Sequence, residues 1–465
     1  MKFLVTRRFH LLIFFFSLLV LTRFYIDADL GWHIAIGRAF LEGQGIIRND
    51  QFSWTMAGHY WGNSYFLYQI VVAWLFYHVG YLATVFVFGF VAVVSVLLLL
   101  PTKLNKWSSA VVLIGVVMVS VNLGIKPHVF DFLFFALLLV LLNKGYYTRK
   151  LWAPFWFVFF LLWANIHVGF LVGLLTFSAF VVIGVLKVRS LGKTVAVLDS
   201  VLLLAASWLG TLATPFNIQM YKSIFVDSAS PLTWLYVYEW QPIISSLSFI
   251  VLYLISGLVF IYILRSRYKE LGVEWFLLAC VLFMLPFVSL FYVLFWSEIF
   301  IFLGTRYFVV EKKYFKNIWM KLPVYLTFLV LLLGICLNFG GQFAMSKSLS
   351  QRLVVDGYPV DAMRFMVSSG YTDRVFNNFN WGGFIDWQYP QVRAFIDGRM
   401  NGWKTEGGRY IFDDFIQIGR GRCELINQYK PGIALLVSKS INSCFGSWQV
   451  VYRDETAVVL KKPNN

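Results

Sequence analysis

The sequence predicts an α-helical polytopic membrane protein of about eleven transmembrane helices, with interfacial helices in its first outer loop and a small extracytoplasmic α/β domain at its C-terminal end. Three observations predict it: long apolar runs recur over residues 11–338, basic residues collect in every second connection between them, and the composition turns mixed and polar near Gly340. Of the 465 residues 59% are hydrophobic and 13% charged, and the mean hydropathy is +0.72, which excludes an ordinary soluble chain.

Leu11–Leu21 is almost unbroken hydrocarbon. Lys2, Arg7 and Arg8 precede it as in a signal peptide, but Arg23 and Tyr25 stand where a small-residue cleavage site would be, so a retained helix is expected. The polar stretch 27–80 follows. Asp29 can cap a helix running to Glu42, in which Asp29 and His33, four apart, share a face, while Leu30, Ile34 and Leu41 lie on lipid or protein. Ser64–Gly80 is expected as a second interfacial helix. Comparable apolar runs at 81–100, 107–121, 129–142, 152–164, 168–186, 195–213, 246–264, 272–289, 290–310 and 322–338 complete eleven spans. Several approach the ~20 residues needed to cross ~30 Å of hydrocarbon, and the shorter ones need flanking residues or local thinning.

Charge orients these spans, because cytoplasmic loops retain Lys and Arg. With the N-terminus inside, the inner segments hold Lys2, Arg7, Arg8, Lys103, Lys106, Lys144, Arg149, Lys150, Lys187, Arg189, Lys193, Arg265, Arg267, Lys269, Lys312, Lys313, Lys316 and Lys321. The outer loops hold Arg23, Arg38, Arg48, Lys126 and Lys222. Those 18 inner basic residues, set against Glu270 and Glu311, account for the whole net charge of +16. The charge therefore reports topology and anionic lipid, and no nucleic-acid partner is expected. The location implied is the inner (plasma) membrane, with the N-terminus cytoplasmic and the C-terminal domain outside.

Two domains are expected, a transmembrane one over 1–339, with 27–80 as its first outer loop, and an extracytoplasmic one over 340–465. The second alternates strand-like runs (374–376, 394–396, 433–437, 457–460) with helical periods over Val360–Ser368 and Tyr410–Tyr429, which is an α/β pattern. Its ~125 residues suffice for a core. Cys280 and Cys336 fall in expected spans, whereas Cys423 and Cys444 both lie in this domain, where they either pair in an oxidising compartment or remain buried thiols. No Walker A, zinc-type CxxC or dinucleotide-binding motif occurs.

Ionisable residues gather at the outer ends of the spans. Asp27, Asp29, His33 and Asp50 stand in the first loop, Lys126, His128 and Asp131 where the fourth span begins, Asn165 and His167 after the fifth, and Asn217, Glu239, Trp240 and Gln241 before the eighth. Such groups are costly near a bilayer unless they line a cavity or pair with one another. A catalytic or binding cavity open to the outside is one reading; a helix cap at Asp29, a satisfied His33 and a Lys126 that snorkels to the interface are the plain ones.

The aspartate just beyond the first span, the helix ending Leu41-Glu42-Gly43 and the bundle that follows resemble the GT-C superfamily of membrane glycosyltransferases, which use polyprenyl-phosphate sugars. The chain is more closely similar to a bacterial branch with D-x-D-x-W-W-H, D-x-F-S-x-T and G-x-x-W, matched by Asp27, Asp29, Trp32 and His33; by Asp50, Phe52, Ser53 and Thr55; and by Gly58 and Trp61. Lys126-Pro127-His128-Val129-Phe130, Trp163-Ala164-Asn165-Ile166-His167, Trp381-Gly382-Gly383 and Asp397-Gly398-Arg399 resemble its remaining elements. Gly31 replaces the first tryptophan of that pattern and Lys126 an arginine, and the Lys-Pro-Pro-Leu signature of aminoarabinose and protein-mannosyl transferases is absent.

The resemblance implies an inverting transfer of a sugar to an envelope glycan, lipid or protein acceptor. Asp29, or in second place Asp27, is the expected general base. Lys126 with His128 or His167 is expected at the phosphate, and Arg306 joins them if its helix tilts inward. Trp32, Trp54, Trp61 and Trp240 either stack on sugar or anchor the interface. A divalent metal ion, held by Asp27, Asp29 and His33, is left open. Trp381-Gly382-Gly383 and Asp397-Gly398-Arg399 read as turns in which Asp and Arg pin strands. The alternatives are a non-catalytic scaffold that binds lipid-linked sugar, and a lipid or glycan transporter or polymerase; the internal repeats common in transporters are not evident.

Overall fold

The computed structural model describes residues 2–189, 196–227, 230–308, 333 and 335–463. Most of the expected span 322–338, together with Lys193, Lys312, Lys313, Lys316 and Lys321, lies outside them. The chain forms two compact units, one of residues 1–24, 85–214 and 238–344, the other of residues 25–84, 215–237 and 345–465.

The first unit is helical. Among the described residues of the whole chain, Tyr81–Leu99, Phe170–Lys187, Phe249–Arg267 and Leu290–Tyr307 are long and apolar enough to cross a membrane. The other apolar helices, such as Lys106–Asn122 and Val273–Phe287, run 10–17 residues. At 1.5 Å per residue they reach only about 15–25 Å, so four candidate spans stand where eleven were expected. The hub is Val293–Tyr307, in which every residue from Val293 to Thr305 is buried. A helix buried on all sides is enclosed by others, and here Trp275 stacks on Phe302 at 4.9 Å and Phe135 meets Phe295 at 5.0 Å.

The second unit carries a four-stranded sheet of β1 (Val375–Asn377), β2 (Ile433–Val437), β3 (Gln449–Arg453) and β4 (Ala457–Lys461), in the order β1-β2-β4-β3. β1 runs parallel to β2, and β4 is antiparallel to both its neighbours. β2 and the first four residues of β4 are continuously apolar, as expected of buried central strands. β3 is mostly exposed, with pattern too weak to announce it in the sequence.

Residues 394–396, expected as a strand, are not one. The Phe395 and Ile396 amides are taken by Asn377 Oδ1 at 2.7 and 3.4 Å, and Ala394 pairs only with the Phe52–Trp54 backbone. The helical stretch Tyr410–Tyr429 is broken into Ile411–Gly419 and Cys423–Tyr429 by a turn at Gly421, whose φ of +94° suits glycine.

One core binds this unit together: Trp32, Ile36, Met56 and Trp61 from the first loop are packed with Phe395, Trp403, Phe412 and Leu460 from the C-terminal region. The first loop is thus a structural part of the same unit as the α/β elements. The contact that requires it lies at Gly31 on the Leu30–Leu41 helix, where a Cβ would fall 2.0 Å from the Gly383 carbonyl oxygen of the Gly382–Gln388 helix. The glycine in place of a tryptophan is therefore what lets these two helices cross backbone to backbone.

Cys423 and Cys444 form a disulfide, Cα–Cα 5.0 Å, tying the Cys423–Tyr429 helix to the turn before β3. With a sequence separation of 21, loop-closure entropy assigns the bond about 3 kcal/mol. Cys444→Ser is expected to lower the melting temperature, and adding reductant to that variant should lower it no further.

Candidate functional site

In the second unit, chain entry to the Leu30–Leu41 helix is set by two aspartates. Asp27 Oδ1 accepts the Asp29 N–H at 3.1 Å, and the Asp27 carbonyl accepts that of Leu30. Asp29 occupies the N-cap position, but its backbone is already helical (φ −83°, ψ −18°) and its side chain makes no capping bond. The expected cap is thus absent. The carboxylate turns instead to Trp32, whose Nε1–H donates to Oδ1 at 3.1 Å. Asp29 remains half-exposed, whereas His33 is buried against Trp32, Tyr65 and Tyr68.

Asp29 rests directly on the Asp397-Gly398-Arg399 segment: a Cβ on Gly398 would stand 1.7 Å from Asp29 Oδ1 and 3.2 Å from Trp32 Nε1. The flanking residues of that segment grip the first loop. Arg399 donates from Nε to Asp397 Oδ1 (2.9 Å) and from Nη2 to Asp397 Oδ2 (2.6 Å), and Nη2 also pairs with Asp50 Oδ1 at 2.8 Å. Asp50 is further held by the Ser53 amide and hydroxyl at 3.1 and 2.6 Å. Asp50, Asp397 and Arg399 are almost wholly buried, and Phe52, Trp61 and Trp403 surround the guanidinium at 5.0–5.8 Å. Asp397 and Arg399 therefore pin the 50–53 turn and not a pair of strands. Asp50, expected among substrate-binding residues, has its oxygens engaged within the protein, and Trp32 and Trp61 meet edge to face at 5.6 Å.

Asp386 completes this cluster. It is buried, and neither carboxyl oxygen has a hydrogen-bond partner among the described residues. Burial, reinforced by Asp397 and Asp50 and opposed by Arg399, pushes its pKa well above the usual carboxylate range. Burial likewise pushes His59, stacked on Trp403 at 4.5 Å, down from its ordinary value. A carboxyl whose folded pKa is raised keeps its proton in the native state after the unfolded chain has lost it. Its stabilising contribution is thus complete below the unfolded pKa, near 4, and is lost as pH rises toward the folded one, at about 1.4 kcal/mol per pH unit. Asp386→Asn is expected to flatten this decline in melting scans between pH 4 and 7; an unchanged slope would place the proton elsewhere.

The first unit assembles a separate group. Lys126 pairs with Glu239, and His128 Nε2 lies 4.0 Å from the other Glu239 oxygen. The rings of His128 and His167 meet at 4.6 Å, His167 Nδ1 bonds to Asp131 Oδ2, and Trp163 Nε1–H donates to Asp131 Oδ1 at 2.7 Å. Glu239 is placed by a short turn, Tyr238–Trp240, whose Glu239 carbonyl accepts from Ser289 Oγ at 2.7 Å. Lys126, His128, His167 and Glu239, from three stretches of sequence, are brought together. Asn165 ends its helix, its amide donating to the Leu161 carbonyl at 2.8 Å.

Arg306 does not join this group. It sits at the far end of the helix that follows Phe291, the ring beside His128 and His167, and at 1.5 Å per residue the separation along the axis is roughly 22 Å. Its guanidinium caps the Leu99 and Phe302 carbonyls at 2.8 Å each. Sequence reading also passed over Glu298, fully buried in the hub helix and near enough to Asp131 for the two carboxylates to interact. A lone acid inside the apolar run 290–310 was its signal.

Among the described residues, no group of three or more His, Cys, Asp or Glu is arranged to hold a metal ion. Asp27, Asp29 and His33 therefore do not form the ligand set considered for a divalent ion. Comparison with known protein families and with curated proteins finds no match to this chain.

Proposed function

We propose that the chain is a membrane glycosyltransferase that moves a sugar from a polyprenyl-phosphate donor to an envelope glycan, lipid or protein acceptor, with Asp29 as general base. The observation that carries the reading is the seating of Asp29: a half-exposed carboxylate at the head of the first-loop helix, fixed by the Trp32 indole and backed by the Gly398 backbone. Two motifs more than 350 residues apart, each singled out by sequence pattern, thus meet at one carboxylate.

In the proposed reaction, Asp29 takes the proton of an acceptor hydroxyl as its oxygen forms the new bond to the anomeric carbon. The bond from that carbon to the phosphate oxygen breaks, and the polyprenyl phosphate leaves with the electron pair, inverting the centre. The phosphate gathers charge as it leaves, and the reading calls for cations or hydrogen-bond donors to receive it. The reading includes eleven spans, a cytoplasmic N-terminus and an inner-membrane location, supported by the alternation of basic loops along the sequence.

The test uses the full chain in proteoliposomes with polyprenyl-phosphate glucose, mannose and galactose, wild type against Asp29→Asn. Sugar transfer lost in the variant supports the proposal. Retained transfer in Asp29→Asn removes the base, and polyprenyl-phosphate binding or lipid translocation without transfer by the wild type favours a scaffold or a transporter.

A further inference from the structure

The second unit contains a cleft of about 650 Å³, within the range typical of ligand pockets, that the transferase reading does not use. Arg374 and Arg393 stand on its wall, both exposed. Neither is paired with a carboxylate among the described residues; the recorded contact of Arg374 is a ring, that of Trp54, 6.0 Å away. Asp373 is the single carboxylate on the lining, so the wall is net positive.

Two aromatic rings border the same space and are held rigidly from behind. Trp54 donates from Nε1 to the Val375 carbonyl at 3.1 Å, and Tyr429 donates its hydroxyl proton to Asp414 Oδ2 at 2.7 Å. Both rings also make T-shaped contacts with Phe395, at 5.5 and 4.9 Å. Gln391 and Gln428 add amides, that of Gln428 accepting from Arg409 through its oxygen and keeping its own donors. Arg374 is one of three non-glycine residues among those described with positive φ, at 43°, a conformation that a side chain adopts only when its surroundings hold it there.

We infer that this cleft binds an acidic oligosaccharide. Rigid tryptophan and tyrosine rings offer faces to the C–H side of a sugar, glutamine amides meet its hydroxyls, and the guanidinium forks match a carboxylate or a phosphate. A neutral glycan would leave the two arginines unused. An extended nucleic acid would call for a longer basic track than two arginines opposed by Asp373. Trp54 and Thr55, the outer end of the D-x-F-S-x-T motif, lie on the cleft, while its inner end, Asp50 and Ser53, is locked to Arg399. The inference stands on the cleft alone and holds whether or not the chain transfers sugar.

The test is calorimetric titration of the detergent-purified full chain with hexagalacturonate, pentamannose 6-phosphate and maltohexaose. At least one acidic oligosaccharide should bind saturably, and maltohexaose at least about tenfold more weakly, the weight of a charge-assisted hydrogen bond. The tighter of the two acidic probes identifies the anion as carboxylate or phosphate. Arg374→Gln and Arg393→Gln should each weaken binding several-fold and together abolish it; because both side chains are exposed, melting should not change, and Gln391→Ala provides a second, milder loss. The inference is overturned if neither acidic probe binds, if maltohexaose binds as tightly, or if the double variant retains wild-type affinity.

Discussion

Asp29→Asn is expected to lower sugar transfer by about 10²–10⁴-fold, the usual weight of a positioned general base, with no change in yield or melting of the purified chain. Asparagine keeps an oxygen to accept from Trp32 Nε1 and fills the same space against Gly398, so the local packing persists. What it cannot do is take a proton. Asp27 acts through the backbone, accepting the Asp29 amide, so Asp27→Asn should cost much less. Gly398→Ala gives an independent check, because its methyl group would stand 1.7 Å from Asp29 Oδ1 and must push the carboxylate aside. Initial rates with a polyprenyl-phosphate sugar that stay at the wild-type level in Asp29→Asn would end the assignment, and a wild-type rate in Gly398→Ala would show that the exact seat of the carboxylate does not matter.

Arg399→Ala carries the largest expected effect on stability. The guanidinium neutralises Asp50 and Asp397 in a space closed to water, and its removal leaves two buried carboxylates without a counter-charge. Breaking a buried ion pair from one side typically costs about 3–5 kcal/mol, and the lost packing among Phe52, Trp61 and Trp403 adds to it. Arg399→Lys should restore little, since an ammonium cannot reproduce the two parallel bonds to Asp397. Asp50→Asn should be milder than either, because Arg399 keeps Asp397. Thermal unfolding followed by tryptophan fluorescence reports all three, with Trp61 and Trp403 beside the cluster. A melting temperature for Arg399→Ala within a degree or two of wild type would show that the cluster does not hold the unit together.

Much of the helical unit was legible because its signals are local. An apolar run declares itself residue by residue, and Lys126, His128, His167 and Glu239 stand out because ionisable groups are costly beside such runs; they meet in the structure for the same reason, pairing to offset burial. Arg306 met that cost differently, by capping carbonyls at the other end of its helix. Local pattern also found β2 and β4, whose residues are buried, and missed β3, whose residues are not.

By itself the sequence determined the apolar helices, the compositional break before the C-terminal region and the acidic helix head at Asp29, all set by hydrophobicity and spacing within a few turns of chain. Only the tertiary structure decided that residues 25–84 and 345–465 share one core, that Asp397-Gly398-Arg399 seats Asp29 and neutralises Asp50, and that Trp54, Arg374, Arg393 and Tyr429 border one cleft. The physical reason is that these depend on complementarity between distant segments: a glycine that admits another backbone at 2.0 Å, and a guanidinium whose partner lies more than 300 residues away. Neither leaves a periodic trace in the sequence around it.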